Sequence, residues 1–209
     1  ISGLEKKLDE QLKNNQSAVL LTVDKDIQSL IRQELIKFNN IFDAIGSAAI
    51  LMDINNGEII SLVSLPDFDP NKREKIIDKN FINRATKGVY EFGSVFKTFT
   101  IAAGLNDEII KPDTKFLDLP KSIMCAGFPI REYDQNISSS LTAEQILIRS
   151  GNIGSVKIAQ AIGQEKFELF LSNLGVLEKI NFDIEEVGEP IKFKWGKCPL
   201  ATVSFGHGV

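Results

Sequence analysis

The chain has 209 residues, 43% of them hydrophobic and 25% charged, which suffices for one sizeable soluble domain with a core of its own. A net charge of −4 and a pI near 5.2 exclude the basic face of a nucleic-acid binder. No apolar run reaches the roughly 18 residues of a membrane-spanning helix, and residues 1–16 carry no apolar core of a signal peptide.

Residues 1–22 read as the end of something else. The charged stretch 3–14 is weakly helical, and the apolar run 18–23 is a strand or connector. Asp24 is a reasonable N-cap for an amphipathic helix, because Ile27, Leu30, Ile31, Leu35 and Phe38 fall at i, i+3, i+4, i+8 and i+11. Two apolar runs follow, 48–53 and 59–63, joined by Asn55-Asn56-Gly57. Asn-Gly is the preferred tight-turn pair, with both central residues at positive φ. Being apolar at nearly every position, this hairpin is expected to be covered on both faces. Residues 65–72 read as a loop and 81–84 as a loop contact.

The stretch 96–105 places Phe96, Phe99, Ile101, Ala102, Ala103 and Leu105 around the axis, which predicts a buried helix with Gly93 and Ser94 at its cap. Residues 106–140 are loop-rich, with Pro112, Pro120 and Pro129. Thr142-Ala143-Glu144-Gln145 fits a capping box ahead of a helix that stops at Ser150-Gly151-Asn152. Two more helices are expected over 153–162 and 164–174, each closed by a glycine. The acidic run 183–186 reads as a solvated face, and the remainder, with Gly188, Pro190, Gly196 and Pro199, as irregular.

Cys125 and Cys198 match no metal-ligand or redox spacing and read as unpaired or incidental, with one disulfide left open in an oxidising compartment. His207 is the single histidine, which leaves no room for a histidine-based metal site or a Ser-His-Asp triad. Standing between two glycines without a visible acid partner, it reads as structural. A nucleophile here needs another base, and a lysine can serve.

Ser94-Val95-Phe96-Lys97 is the pair to weigh. Positions i and i+3 at a helix start lie on one face, a turn apart. On an apolar helix Lys97 is desolvated, which favours a neutral amine able to take the serine proton, and the helix N-terminus adds N–H groups where an oxyanion develops. A Ser-x-x-Lys string turns up about once by chance in a chain of this size. Gly93 before it and the buried helix after it raise its weight. Ser150-Gly151-Asn152 is the second element: it is either a plain inter-helix turn or a turn that points a hydroxyl and an amide at a shared cleft.

Taken together, these strings resemble a class B penicillin-binding protein, the monofunctional peptidoglycan transpeptidase family, and most closely its cell-division member. The resemblance is carried by Gly46-Ser47-Ala48 through Leu65-Pro66-Asp67-Phe68-Asp69-Pro70-Asn71, and by Asn83-Arg84-Ala85-Thr86-Lys87-Gly88-Val89-Tyr90-Glu91-Phe92-Gly93-Ser94-Val95-Phe96-Lys97-Thr98-Phe99-Thr100. Arg149-Ser150-Gly151-Asn152-Ile153-Gly154 matches the Ser-x-Asn motif, and Ala201-Thr202-Val203-Ser204-Phe205-Gly206-His207-Gly208 a further segment. Phe92 stands where proline or leucine is commoner, and Gly151 where a second serine is usual. The third motif, Lys-Thr-Gly or Lys-Ser-Gly, is absent; in the family it lies on a later strand that supplies half of the oxyanion hole.

The resemblance implies an α+β fold of the serine transpeptidase and β-lactamase type, a central antiparallel sheet with helices on both faces, incomplete in this chain. Residues 1–22 would end a preceding pedestal domain or linker, and residues 23–209 would form the front of the transpeptidase domain. It implies Ser94, Lys97 and Ser150 as catalytic, Asn152 as substrate-binding, and no metal or cofactor. The implied partners are peptidoglycan stem peptides, β-lactam antibiotics and cell-division membrane proteins, at the periplasmic face of a bacterial inner membrane. A β-lactamase, a D,D-carboxypeptidase or a non-catalytic β-lactam sensor are the alternatives. The 209 residues alone are expected to be inactive and poorly stable, since hairpin and helix lose apolar cover.

Overall fold

The computed structural model describes residues 3–14, 18–69 and 82–209. The expected loop at 70–72, residue 81 of the expected loop contact, and residues 1–2 and 15–17 of the opening segment lie outside them. Two compact units divide the chain, residues 1–89 with 180–189 and residues 90–179 with 190–209. No helix among the described residues is long and apolar enough to cross a membrane.

In the first unit, α1 (Gly3–Lys7) and α2 (Asp9–Asn14) precede α3 (Lys25–Phe42), which packs on the hairpin of β1 (Ser47–Met52) and β2 (Ile59–Leu65). Asp24 is the N-cap as expected, accepting from the N–H groups of Asp26 and Ile27. The face of α3 turned inward carries Ile27, Ile31 and Leu35, whereas Leu30 and Phe38 of the expected stripe are exposed. Gln28 does much of the docking. Its Nε2 donates to the Leu62 carbonyl at 2.7 Å, and its Oε1 accepts from Ser61 Oγ and Leu62 N.

The hairpin pairs Ser47 with Leu65 and Met52 with Ile59, and a bulge falls between Leu51 and Met52. Only Gly57 of the Asn-Asn-Gly turn has positive φ, at 78°. Asp53 closes a wider loop on Gly57 and Glu58, so the expected two-residue turn is not formed. Cover on both faces is not found either: β2 buries Ser61, Val63 and Leu65, but Ile50, Leu51 and Met52 of β1 stay exposed. The acidic run is anchored rather than free, with Glu186 accepting from Gly3 N at 3.0 Å and Glu185 paired with Lys6.

In the second unit a 3-10 turn, Gly93–Phe96, runs into α4 (Lys97–Asn106). Two short antiparallel pairs follow: β3 (Lys115–Phe116) with β6 (Leu141–Thr142), and β4 (Ser122–Cys125) with β5 (Phe128–Arg131). The expected loop at 106–140 therefore contains a hairpin, turned by Ala126 and Gly127, both at positive φ. Helices α5 (Ala143–Ile148), α6 (Asn152–Ile162), α7 (Gln164–Asn173) and α8 (Lys197–Val203) complete the unit. The capping box forms as expected, Thr142 with Gln145. Helix α8 occupies a stretch expected to be irregular; Pro199 is accommodated because the first turn has no N–H groups to spend on intrahelical bonds.

The centre of this unit is α6, not the Ser94 helix. Ile153, Val156, Ile158 and Ala159 are fully buried against α4, α5, α7 and α8. The 3-10 turn and α4 together bury Phe96, Lys97, Thr100, Ile101, Ala103 and Gly104 but leave Val95 and Leu105 exposed, so this stretch is half-covered rather than enclosed. A Cβ at Gly104 would sit 2.9 Å from Ile110, which explains the glycine at that crossing. Cys125 and Cys198 form a disulfide that ties β4 to α8, in place of the unpaired reading.

Candidate active site

Ser94 lies in the 3-10 turn, where three residues complete a turn and positions i and i+3 eclipse. That puts its hydroxyl over Lys97, the first residue of α4. Lys97 is 1% exposed, while Ser94 faces solvent. Lys97 Nζ donates to Ser94 Oγ at 3.1 Å, to Ser150 Oγ at 2.9 Å and to the Ser150 carbonyl at 2.6 Å. These use all three donors of an ammonium.

Burial pulls the Lys97 pKa down to about 8, against an upward pull from the Glu132 carboxylate. At pH 7 about one lysine in ten is then a free amine. The neutral amine expected from the sequence is therefore a minority species at that pH, yet an accessible one.

Ser150 follows α5 with φ 53°. Its N–H bonds the Leu147 carbonyl and the Gly151 N–H bonds the Ile146 carbonyl, the pattern of a Schellman cap with serine at the position glycine usually holds. The left-handed backbone turns both carbonyl and hydroxyl of Ser150 onto Lys97. Asn152 opens α6 two residues later, and its Nδ2 donates to the Arg131 carbonyl at 2.8 Å. Ser94, Ser150 and Asn152 line one cavity of about 390 Å³, together with Glu132, Arg149 and His207. The fold thus brings all four expected residues, Ser94, Lys97, Ser150 and Asn152, to one place.

A family profile described as the penicillin binding protein transpeptidase domain matches residues 47–209. The chain belongs to the penicillin-binding protein transpeptidase family. Among relatives, the probable peptidoglycan D,D-transpeptidase FtsI of Caulobacter vibrioides is 28% identical over 100% of this chain and 36% of its own length. The probable peptidoglycan D,D-transpeptidase PenA of Neisseria flavescens is 30% identical over 100% of this chain and 52% of its own. The apo transpeptidase domain of Burkholderia pseudomallei penicillin-binding protein 3 superposes with a TM-score of 0.74 at 26% identity, covering 90% of this chain and 53% of that one. The chain accordingly spans about a third to a half of the length of these curated relatives.

In this transpeptidase domain several contacts around the serine turn escape a reading of motifs. Gly206 O accepts from Gly93 N, and a Cβ on Gly206, at φ 80°, would collide with the Gly93 carbonyl and Phe96. Thr100 Oγ1, fully buried, donates to the Ser204 carbonyl at 2.8 Å. The 204–206 segment thereby clamps the base of the serine turn, and the Gly206-His207-Gly208 string was its available signal. His207 does have an acid partner: its Nδ1 lies 3.3 Å from Glu91, which also accepts from Gly208 N at 2.6 Å. Arg149 pairs with Asp134 at 2.6 Å on the cavity rim; backbone N–H donation from Asn136, then the arginine, holds the Asp134 carboxyl below the usual range. Glu132 has no motif signal at all.

Proposed function

We propose that the complete protein is a peptidoglycan D,D-transpeptidase of septal wall synthesis that works through an acyl-Ser94 intermediate. The observation that carries this reading is the convergence of Ser94 Oγ, Ser150 Oγ and the Ser150 carbonyl on the buried Lys97 Nζ, within 3.1 Å. In its free-amine form Lys97 keeps two N–H donors for Ser150 and turns its lone pair to the Ser94 proton. Ser94 Oγ then attacks the carbonyl between the two terminal D-alanines of a stem peptide. The resulting tetrahedral oxyanion collapses as Ser150 relays the proton from Lys97 to the leaving D-alanine amine. Asn152 holds the substrate amide. An amine of a neighbouring strand attacks the acyl-serine, forming the cross-link and freeing Ser94.

β-Lactams would acylate Ser94 by the same attack, the ring-opened amine staying attached. The names of the relatives support a transpeptidase over a β-lactamase, a carboxypeptidase or a non-catalytic sensor. The Cys125–Cys198 disulfide supports an oxidising location, in keeping with the periplasmic face of an inner membrane and division proteins as partners. In this reading residues 1–22 end a preceding pedestal domain or linker, and residues 23–209 are the N-terminal part of the transpeptidase domain. Mass spectrometry of the complete protein with penicillin tests the reading. A single adduct is expected, absent in Ser94→Ala; no adduct, or one that survives the substitution, overturns it. Rapid turnover of a chromogenic β-lactam would favour a β-lactamase.

A further inference from the structure

Helix α6 begins with an exposed chemical problem. Its N-cap is Gly151, which has no side chain with which to satisfy the first N–H groups. The cap arrives from elsewhere. Glu132, just beyond β5 and 20 residues upstream, places Oε2 2.6 Å from Asn152 N and Oε1 2.9 Å from Ile153 N. The residue before it, Arg131, takes the Asn152 side-chain amide on its carbonyl at 2.8 Å. Of these three bonds to one dipeptide, two hold Asn152, by backbone and side chain, and the third holds the backbone of Ile153. Charge-assisted bonds from a carboxylate to helix N–H groups are short and among the stronger ones.

We infer that Glu132 is a positioning residue for acyl transfer, setting through its two-oxygen cap on α6 where Asn152 and Ser150 stand relative to Lys97. The inference rests on the reading of Ser94 as the acylated nucleophile. Glu132 lines the same cavity as Ser94 and Ser150, the two hydroxyls bonded to Lys97 Nζ, and its charge favours the ammonium form of that lysine. The other charged or titratable groups on that cavity are Glu91 before the serine turn, Tyr133 and Asp134 beyond the hairpin, Arg149 at the end of α5 and His207 after α8. Asp134 and Arg149 pair with each other, and Glu91 with His207 and Gly208 N, which leaves Glu132 as the carboxylate acting on Lys97 from the helix cap.

A residue with both functions leaves two marks when changed. Glu132→Gln keeps the shape, removes the charge and turns one acceptor into a donor aimed at an N–H group. A plain packing residue would lower the acylation rate equally at every pH. Glu132→Gln is expected to lower the plateau rate of penicillin acylation about ten- to a hundredfold and to move the acidic limb of the rate profile to lower pH, since the carboxylate that favours the ammonium is gone. Glu132→Asp keeps the charge but draws the carboxylate back; its rate should fall while the limb stays at the wild-type pH. The measurement is stopped-flow acylation of the complete protein across pH 5–10, with mass spectrometry of the adduct. If wild type forms no Ser94 adduct, the functional reading fails. If wild type is acylated and Glu132→Gln keeps both plateau and limb, or lowers the plateau without moving the limb, the inference on Glu132 is overturned. Should Glu132→Gln not fold, Glu132→Asp decides alone: an unchanged rate refutes the positioning role, as does a shifted limb.

Discussion

In the proposed mechanism, Lys97 sets the pH at which this site can work. A lysine that is 1% exposed, with three acceptors around Nζ, is held between two pulls: burial favours the amine, and Glu132 favours the ammonium. With a pKa of about 8, the base is protonated and blocked below that pH and free above it. The rate of penicillin acylation of the complete protein should therefore rise about tenfold per pH unit up to about 8 and level off above it. Lys97→Arg should erase both the limb and the reaction, because a guanidinium stays charged throughout and cannot accept the proton. The expected loss is about 10²- to 10⁴-fold. A limb centred near pH 6, or an arginine variant of near-normal rate, would remove Lys97 from the role of base. The pairing of Ser94 with Lys97 and the direction in which burial pushes the lysine were readable from spacing and the apolar helix. The opposing carboxylate, 35 positions away, is announced by no local pattern.

At the level of elements, the site is built at a junction, where α5 ends and α6 begins. Ser150 takes the left-handed position that glycine normally fills, at a cost of roughly 1 kcal/mol. The strain has a visible use, because the same backbone turn delivers two oxygens to Lys97. Two substitutions separate strain from chemistry. Ser150→Ala and Ser150→Gly both lose the hydroxyl, and both should slow acylation alike. Ser150→Gly should nonetheless be the more stable by about 1 kcal/mol in denaturant unfolding, the reverse of the order of alanine and glycine inside a helix. Equal stability would mean that the φ of 53° is not strained. Elements stabilised by their own neighbours were legible here: the Asp24 cap, the Thr142–Gln145 box and the glycine stops at Gly163 and Gly175 all lie within four residues of what they cap. Elements fixed from a distance were not. The Ala126-Gly127 hairpin lacks the usual Asn-Gly signal and α8 is masked by Pro199, while the span of α6 was legible but its cap from Glu132 was not. The stripe on α3 was misassigned at Leu30 and Phe38 because the packing of a helix on a two-stranded sheet, not its periodicity, decides which flank is covered.

Across the whole molecule two features govern stability, one covalent and one apolar. The Cys125–Cys198 bridge spans 73 positions and ties the hairpin that carries Arg131 and Glu132 to the helix that leads into Gly206. Closing a loop of that length is worth about 4 kcal/mol in the chain-entropy account. Reduction, or Cys198→Ser, should then lower the melting temperature of the complete protein by about 10 °C and slow acylation, since both walls of the site hang on the bridge. A reduced protein that melts where the oxidised one does would show the bridge to be ornamental. The apolar feature bears on the 209 residues by themselves. Ile50, Leu51 and Met52 are 52%, 41% and 49% exposed on β1, and Leu30, Phe38, Ile41 and Phe42 of α3 are between 48% and 72% exposed. Large apolar side chains exposed in this number are uncommon on a monomer and favour association. Each large side chain left in water forgoes roughly 1.5–3 kcal/mol of burial, so several together rival the net stability of a domain. The 209-residue chain expressed alone should consequently self-associate, with a light-scattering mass above 23.2 kDa and a broad thermal transition. Replacing Ile50 and Met52 by threonine should reduce the association while leaving the buried Ser61, Val63 and Leu65 face of β2 in place. A monomeric mass with a sharp cooperative melt would show that the hairpin face is tolerated in water after all.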